Sequence, residues 1–177
     1  LMIVLFGMVM TAASTFSDKA TRRFLLLFFT VLALYLGCNL FSQIAELFLG
    51  NYLITHTAKF FEYIFSSLLL PLLALYITIK CGQTSRSLSM YIVDFIWLLF
   101  FAQLGYAQMS RSIYYITEDN VYHRGPYYLT MLVPPALMML VVFISVLRRR
   151  KQLSGKQFFG FISYAVFPAI ALYLQTL

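Results

Sequence analysis

LRRRKQLSGKQ, residues 147–157, lies between two apolar runs and sorts the rest of the chain. Arg148, Arg149, Arg150 and Lys151 are consecutive cations, and Lys156 follows within five residues. Such a block between stretches long enough to cross hydrocarbon marks the cytoplasmic side, because Lys and Arg in short loops resist translocation. Upstream of it, apolar runs and short polar loops alternate back to residue 1.

Hydrophobic residues make up 62% of the 177 residues and charged residues 11%, against roughly 45–50% and about 25% in soluble domains. A surface this poor in charge faces hydrocarbon rather than water. The expected fold class is all-α, a polytopic transmembrane helix bundle of about six spans with a short external hairpin-like loop. The spans fall at Leu1–Ala13, Phe24–Phe48, Phe60–Ile79, Ser89–Gln108, Tyr128–Leu147 and Gln157–Thr176, and form a single domain over 1–177. Neither an internal repeat nor a low-complexity linker divides them.

Lys19, Arg22 and Arg23 stand in the first loop, Lys80 and Arg86 in the third, and Arg148, Arg149, Arg150, Lys151 and Lys156 in the fifth, which accounts for ten of the 13 basic residues. The second and fourth loops hold only Lys59, Arg111 and Arg124. Loops 14–23, 80–88 and 148–156 are therefore expected in the cytoplasm, with both termini outside. The net charge of +7 is a topology signal under this reading, and nucleic acid is not an expected partner. A terminus stranded outside leaves no route to a cytoplasmic output domain without a further helix. Together with a first run that opens on Leu1, this leads us to expect a fragment of a longer receptor; a complete six-helix protein with external termini is the alternative. Cys38 falls within a span and Cys81 in a cytoplasmic loop, so they are not expected to pair.

Polar residues inside spans are costly to leave unpartnered. Glu46 and Glu62 lie eight residues either side of Ile54, at similar depth on antiparallel neighbours, and could face each other as a proton or cation sensor. The plainer alternative pairs Glu62 with Lys59, three residues earlier on the same helix. Asp94 is expected to face the bundle interior, with Arg86 or Lys80 reaching it by snorkelling. Asn39, Gln43, Gln103 and Gln175 are expected to make interhelical hydrogen bonds or to line a polar pocket. Pro71, Pro134 with Pro135, and Pro168 interrupt three spans and should bend them. Ala165 and Ala169 offer a small-residue contact beside Pro168.

The loop Ser110–Tyr127, SRSIYYITEDNVYHRGPY, is the most distinctive stretch. Ile113–Thr117 and Val121–His123 favour strand and flank the turn-prone Glu118-Asp119-Asn120, so a small hairpin lid is expected. With Tyr128 it gathers five tyrosines, His123, Arg124 and two acids at the mouth of the bundle. An interfacial aromatic belt explains the tyrosines. The charges suggest recognition, with Arg124 as an anchor for an anionic or carboxylate group. Tyr122, His123, Arg124, Glu118, Asp119, Glu46 and Glu62 are the candidate ligand-binding residues.

His56 and His123 are far apart in sequence and no Cys lies near either, so no metal site is expected. There is no phosphate-binding glycine loop and no catalytic Ser/His/Asp or Cys/His set. Neither a cofactor nor an enzymatic activity is expected within this chain.

Asp119-Asn120-Val121-Tyr122-His123-Arg124-Gly125-Pro126, then an apolar helix ending in basics, then Phe167-Pro168-Ala169-Ile170-Ala171-Leu172-Tyr173-Leu174-Gln175, resembles the membrane sensory module that precedes GGDEF diguanylate cyclase domains, or in some relatives histidine-kinase domains, in bacteria. The resemblance implies an input unit of seven or eight helices in the bacterial plasma membrane, whose last helix leads into a cytoplasmic output domain. This chain stops at Leu177, before such a helix. The expected function is sensing of an external or membrane-dissolved small ligand, with the lipid bilayer as partner and a homodimer as a further one. The alternative is a small membrane transporter, or a substrate-binding subunit of one, with Glu46, Glu62 and Asp94 along the path.

Overall fold

The structure is a computed structural model that describes residues 2–13, 19–80 and 87–152, together with 155, 158, 159 and 162. Helices dominate: α1 (Met2–Ala13), α2 (Lys19–Ile44), α3 (Tyr52–Lys80), α4 (Leu88–Ser110) and α5 (Val133–Arg148). A two-stranded antiparallel hairpin, β1 (Tyr114–Ile116) and β2 (Tyr122–Arg124), is inserted between α4 and α5.

Among the described residues four helical stretches are long and apolar enough to cross a membrane: Thr21–Phe48, Tyr52–Lys80, Leu88–Ser110 and Tyr128–Arg148. The described residues thus support four of the about six spans expected. The first run is helical but short, Met2–Ala12, and the sixth, Gln157–Thr176, lies largely outside the described residues with Pro168, Ala165, Ala169 and Gln175. Expected starts were also too late for the span beginning at Phe60. The helix opens at Tyr52 because Asn51 Oδ1 accepts the N–H groups of Leu53 (3.0 Å) and Ile54 (3.4 Å), supplying partners that a helix N-terminus lacks. Gly50, at φ +55°, closes the preceding helical turn in the left-handed region that glycine adopts freely.

Several hydroxyls inside the spans are satisfied on their own helix, although Thr55 Oγ1 in α3 is buried without a hydrogen-bond partner among the described residues. Thr30 donates to Leu26 O at 2.8 Å, Ser67 to Ile64 O at 2.8 Å and Ser145 to Val141 O at 2.8 Å, which removes most of the cost of a hydroxyl in hydrocarbon. Pro71 lies inside α3 and has no N–H to contribute to the helical hydrogen-bond ladder. Pro134 and Pro135 lie within the Tyr128–Arg148 stretch, next to the point where its 3-10 turn gives way to α-helix. They occupy the first turn of α5, after a 3-10 turn at Tyr128–Leu132, where a missing N–H costs nothing.

The chain divides into two compact units. One comprises Leu1–Leu69 with Tyr114–Arg124, the other Leu70–Ile113 with Gly125–Leu177. In the first, Gly7 lets the Phe29 ring approach α1 so closely that an added Cβ would stand 3.0 Å from it. In the second, Leu73, Ala74, Ile77, Met90, Val93, Met138, Val142 and Val146 form the core. Asp94 is not part of that core: it is exposed on α4, which corrects the inward orientation expected for it. α4 is apolar around most of its circumference, so hydrophobicity does not set its rotation.

Candidate functional site

The first unit contains the densest polar cluster among the described residues, built where the hairpin meets the end of α2 and the opening turns of α3. Three residues of α2 and α3 enclose the Glu62 carboxylate. Asn39 Nδ2 donates to Oε1 at 2.7 Å, while Ser42 Oγ (3.2 Å) and Lys59 Nζ (2.9 Å) reach Oε2. The Lys59–Glu62 pair is largely removed from solvent, each side chain 12% exposed. Gln43 donates to Asn39 Oδ1 at 3.2 Å and thereby orients it. Glu62 thus takes the plainer of the two roles considered for it, as partner of Lys59.

Glu46 serves a different element. Its Oε1 accepts the backbone N–H of Tyr122 at 3.0 Å. It sits in a π-helical turn, Ala45–Leu49, that prolongs α2. Asn120, at the hairpin turn, donates Nδ2 to the carbonyls of Ala45 (2.8 Å) and Glu46 (3.3 Å). These carbonyls lie where a helix runs out of its own donors. Asn120 is 2% exposed and adopts φ +62°, a left-handed conformation that Asn tolerates better than most residues. Its N–H also bonds Thr117 O at 2.9 Å, and Thr117 N–H bonds Val121 O at 3.0 Å. The turn is therefore a type I turn followed by a left-handed residue, a common three-residue hairpin connection.

Aromatic rings carry the hairpin onto α3. Tyr52, His56, Lys59 and Tyr63 recur at spacings of four, three and four, one face of a helix. Tyr52 packs on His56 (centroids 5.5 Å), His56 on Tyr114 (6.2 Å), and Tyr114 on both Tyr63 (5.2 Å) and Tyr122 (5.9 Å). Tyr63 and Tyr122 share a hydroxyl hydrogen bond of 2.7 Å, and Lys59 Nζ stands 5.2 Å from the Tyr122 ring centroid. Tyr122 is thus tied to Glu46 through its backbone, to Tyr63 through its hydroxyl and to Lys59 and Tyr114 through its ring.

Of the seven ligand-binding candidates, the structure brings Tyr122, Glu46 and Glu62 into this cluster. Glu118, Asp119, His123 and Arg124 are instead exposed on the hairpin. His123 stacks on Tyr115 across the ladder with centroids 5.3 Å apart, so alternation places that pair opposite Tyr114 and Tyr122. Sequence reading missed Tyr52, His56 and Tyr63. Their four–three–four spacing with Lys59 was the available signal, but a tyrosine near a membrane interface is so ordinary that the stripe does not stand out.

In the second unit Gln103 Nε2 donates to Thr130 Oγ1 at 2.8 Å, joining α4 to the turn before α5. A narrow crevice lined by Ile77, Val93 and Val142 carries only the hydroxyls of Thr78, Ser89 and Ser145, which gives it no groups for acid, base or nucleophilic chemistry. Among the described residues no three His, Cys, Asp or Glu gather as a metal site would need. The chain matches no family model, no curated protein and no solved structure.

Proposed function

We propose that this chain is the membrane sensory module of a bacterial signal-transduction protein, with the hairpin on the external face as the element that meets the ligand. The observation that carries this reading is the clasp at Tyr122, where one hairpin residue engages a carboxylate, a hydroxyl and an ammonium group on two membrane helices. A lid held by a few polar contacts can be re-seated by a ligand that prefers one of its positions. The exposed Glu118, Asp119, His123 and Arg124 supply charges of both signs for recognition, with Arg124 suited to a carboxylate or other anion.

Positive-inside asymmetry supports the external placement of the hairpin: its loop carries Arg111 and Arg124, whereas the loop after α5 carries Arg148, Arg149, Arg150 and Lys151. The likeness of the Asn120–Pro126 segment to sensory modules that precede cyclase and kinase domains points the same way. On this reading any catalytic output belongs to a cytoplasmic domain that the chain would serve. A transporter would need Glu62 open to its cargo, and that carboxylate is already engaged by Lys59, Asn39 and Ser42.

A thermal-shift screen of the purified chain against small carboxylates and other anionic metabolites tests the proposal. A compound that stabilises the wild type and loses its effect in Arg124→Ala is the expected result. If no compound stabilises the wild type, or if the shift persists unchanged in Arg124→Ala, recognition at this hairpin is refuted.

A further inference from the structure

The π-helical turn at Ala45–Leu49 is an unusual way for a long helix to end. It widens the helix by one residue relative to the α-form, and such turns persist where something outside the helix satisfies them. Here the outside partner is a single side chain. Asn120 Nδ2 reaches the carbonyls of both Ala45 and Glu46, and Glu46 Oε1 in turn holds Tyr122 N–H, two residues further along the hairpin. The two elements satisfy each other's backbone groups reciprocally.

The arrangement also has a defect. Asn120 Oδ1 is buried without a hydrogen-bond partner among the described residues, a cost of about 1–3 kcal/mol in general for an unsatisfied buried acceptor. The amide cannot be turned over to relieve it, since that would aim its oxygen at two carbonyl oxygens. Seating Asn120 therefore satisfies two acceptors at the expense of a third, and holds its backbone in the left-handed region as well. Such a contact is poised to release.

We infer that Asn120 is a latch that holds the end of α2 in the π register, so that lifting the hairpin lets residues 45–49 relax to an α-helical turn and turns Glu46 about the helix axis, by a fraction of the ~100° through which the end of the turn shifts. The swing would take the Glu46 carboxylate away from Tyr122 N–H and so keep the hairpin from re-seating until the π turn reforms. Hairpin position and helix register are two readings of one equilibrium. The latch rests on the sensor reading only for what lifts it, a ligand at the hairpin. Its own test contains no ligand, so the two can fail separately.

The test uses the full chain in lipid nanodiscs and the variant Asn120→Gly, which keeps the left-handed backbone and removes the amide. Hydrogen exchange followed by mass spectrometry reads 113–124 and 45–51 together. The expected result is that both segments exchange faster in the variant, by about tenfold for the loss of a buried hydrogen-bond pair. Spin labels at Arg23→Cys and Phe48→Cys, in a Cys38→Ala, Cys81→Ser background, should then show a second distance population present only with Asn120→Gly. Faster exchange in the hairpin alone, in α2 alone or in neither overturns the latch, as does an unchanged distance distribution. If Asn120→Gly does not accumulate in membranes, Asn120→Asp, which replaces the donating amide with an acceptor and so removes both bonds to the carbonyls of Ala45 and Glu46, is judged by the same outcomes.

Discussion

Lys59 and Glu62 show how one residue's neighbours decide its role. A carboxylate in a span is expensive, and Glu62 is made tolerable by an ammonium, an amide and a hydroxyl within 3.2 Å. Lys59→Met removes the compensating charge and should destabilise the chain by about 3–5 kcal/mol, the usual cost of stranding one member of a buried pair. Glu62→Gln should cost less, because the freed Lys59 can extend its stem toward water. Chemical denaturation in detergent, comparing both with the double variant Lys59→Met/Glu62→Gln, should show the double variant less destabilised than Lys59→Met alone. Asp94 illustrates the opposite case: its residue type marks it as anomalous in an apolar helix, yet it is exposed on α4. Gly125 makes a third point at this scale. A Cβ there would overlap the Ser112 carbonyl, beside the bond from Gly125 N–H to Ile113 O at 2.8 Å. Gly125→Ala should open this backbone pairing, and limited trypsin digestion should cleave after Arg111 or Arg124 faster than in the wild type.

At the scale of elements, the hairpin was legible because its instructions are local. Ile113–Thr117 and Val121–His123 are rich in β-branched and aromatic residues that favour strand, and Glu118-Asp119-Asn120 is turn chemistry; the ladder forms at Tyr114–Ile116 and Tyr122–Arg124, within a residue of those limits. Which of its faces would be covered was not legible, since both carry tyrosines. Tyr114 and Tyr115 are adjacent and of the same type, yet Tyr114 is 2% exposed in the aromatic stack while Tyr115 packs on His123 across the ladder. Tyr114→Ala should therefore cost about 3–5 kcal/mol, as for removal of a core aromatic ring. Tyr115→Ala should cost less than 1 kcal/mol, roughly the worth of a cross-strand pair. Thermal denaturation of both variants checks the contrast, and equal losses would show that the stack does not seat the hairpin. The π turn had no counterpart in the sequence reading, because Asn120, which satisfies its carbonyls, is some seventy-five residues away.

The whole molecule is organised by hydrocarbon and charge. Four long apolar helices among the described residues make it a membrane-embedded chain, and the clustering of Lys and Arg in alternate loops implies a direction of threading. In a Cys38→Ala, Cys81→Ser background, a cysteine at position 119 should react with an impermeant maleimide added to intact cells, and one at position 150 should react only after the membrane is opened. The reverse pattern would invert the orientation and place the hairpin in the cytoplasm.

Local patterns along the chain were enough to establish a helical membrane protein, roughly where its helices run, and that a short hairpin punctuates them. Run length, turn residues and loop charge act over a few residues and need no knowledge of neighbours. Long-range packing settles that Glu62 belongs to Lys59, that Asn120 closes the end of α2, and that Asp94 is exposed. Helices apolar around their whole circumference carry no hydrophobic stripe to set their rotation, so which polar side chain meets which is settled by packing.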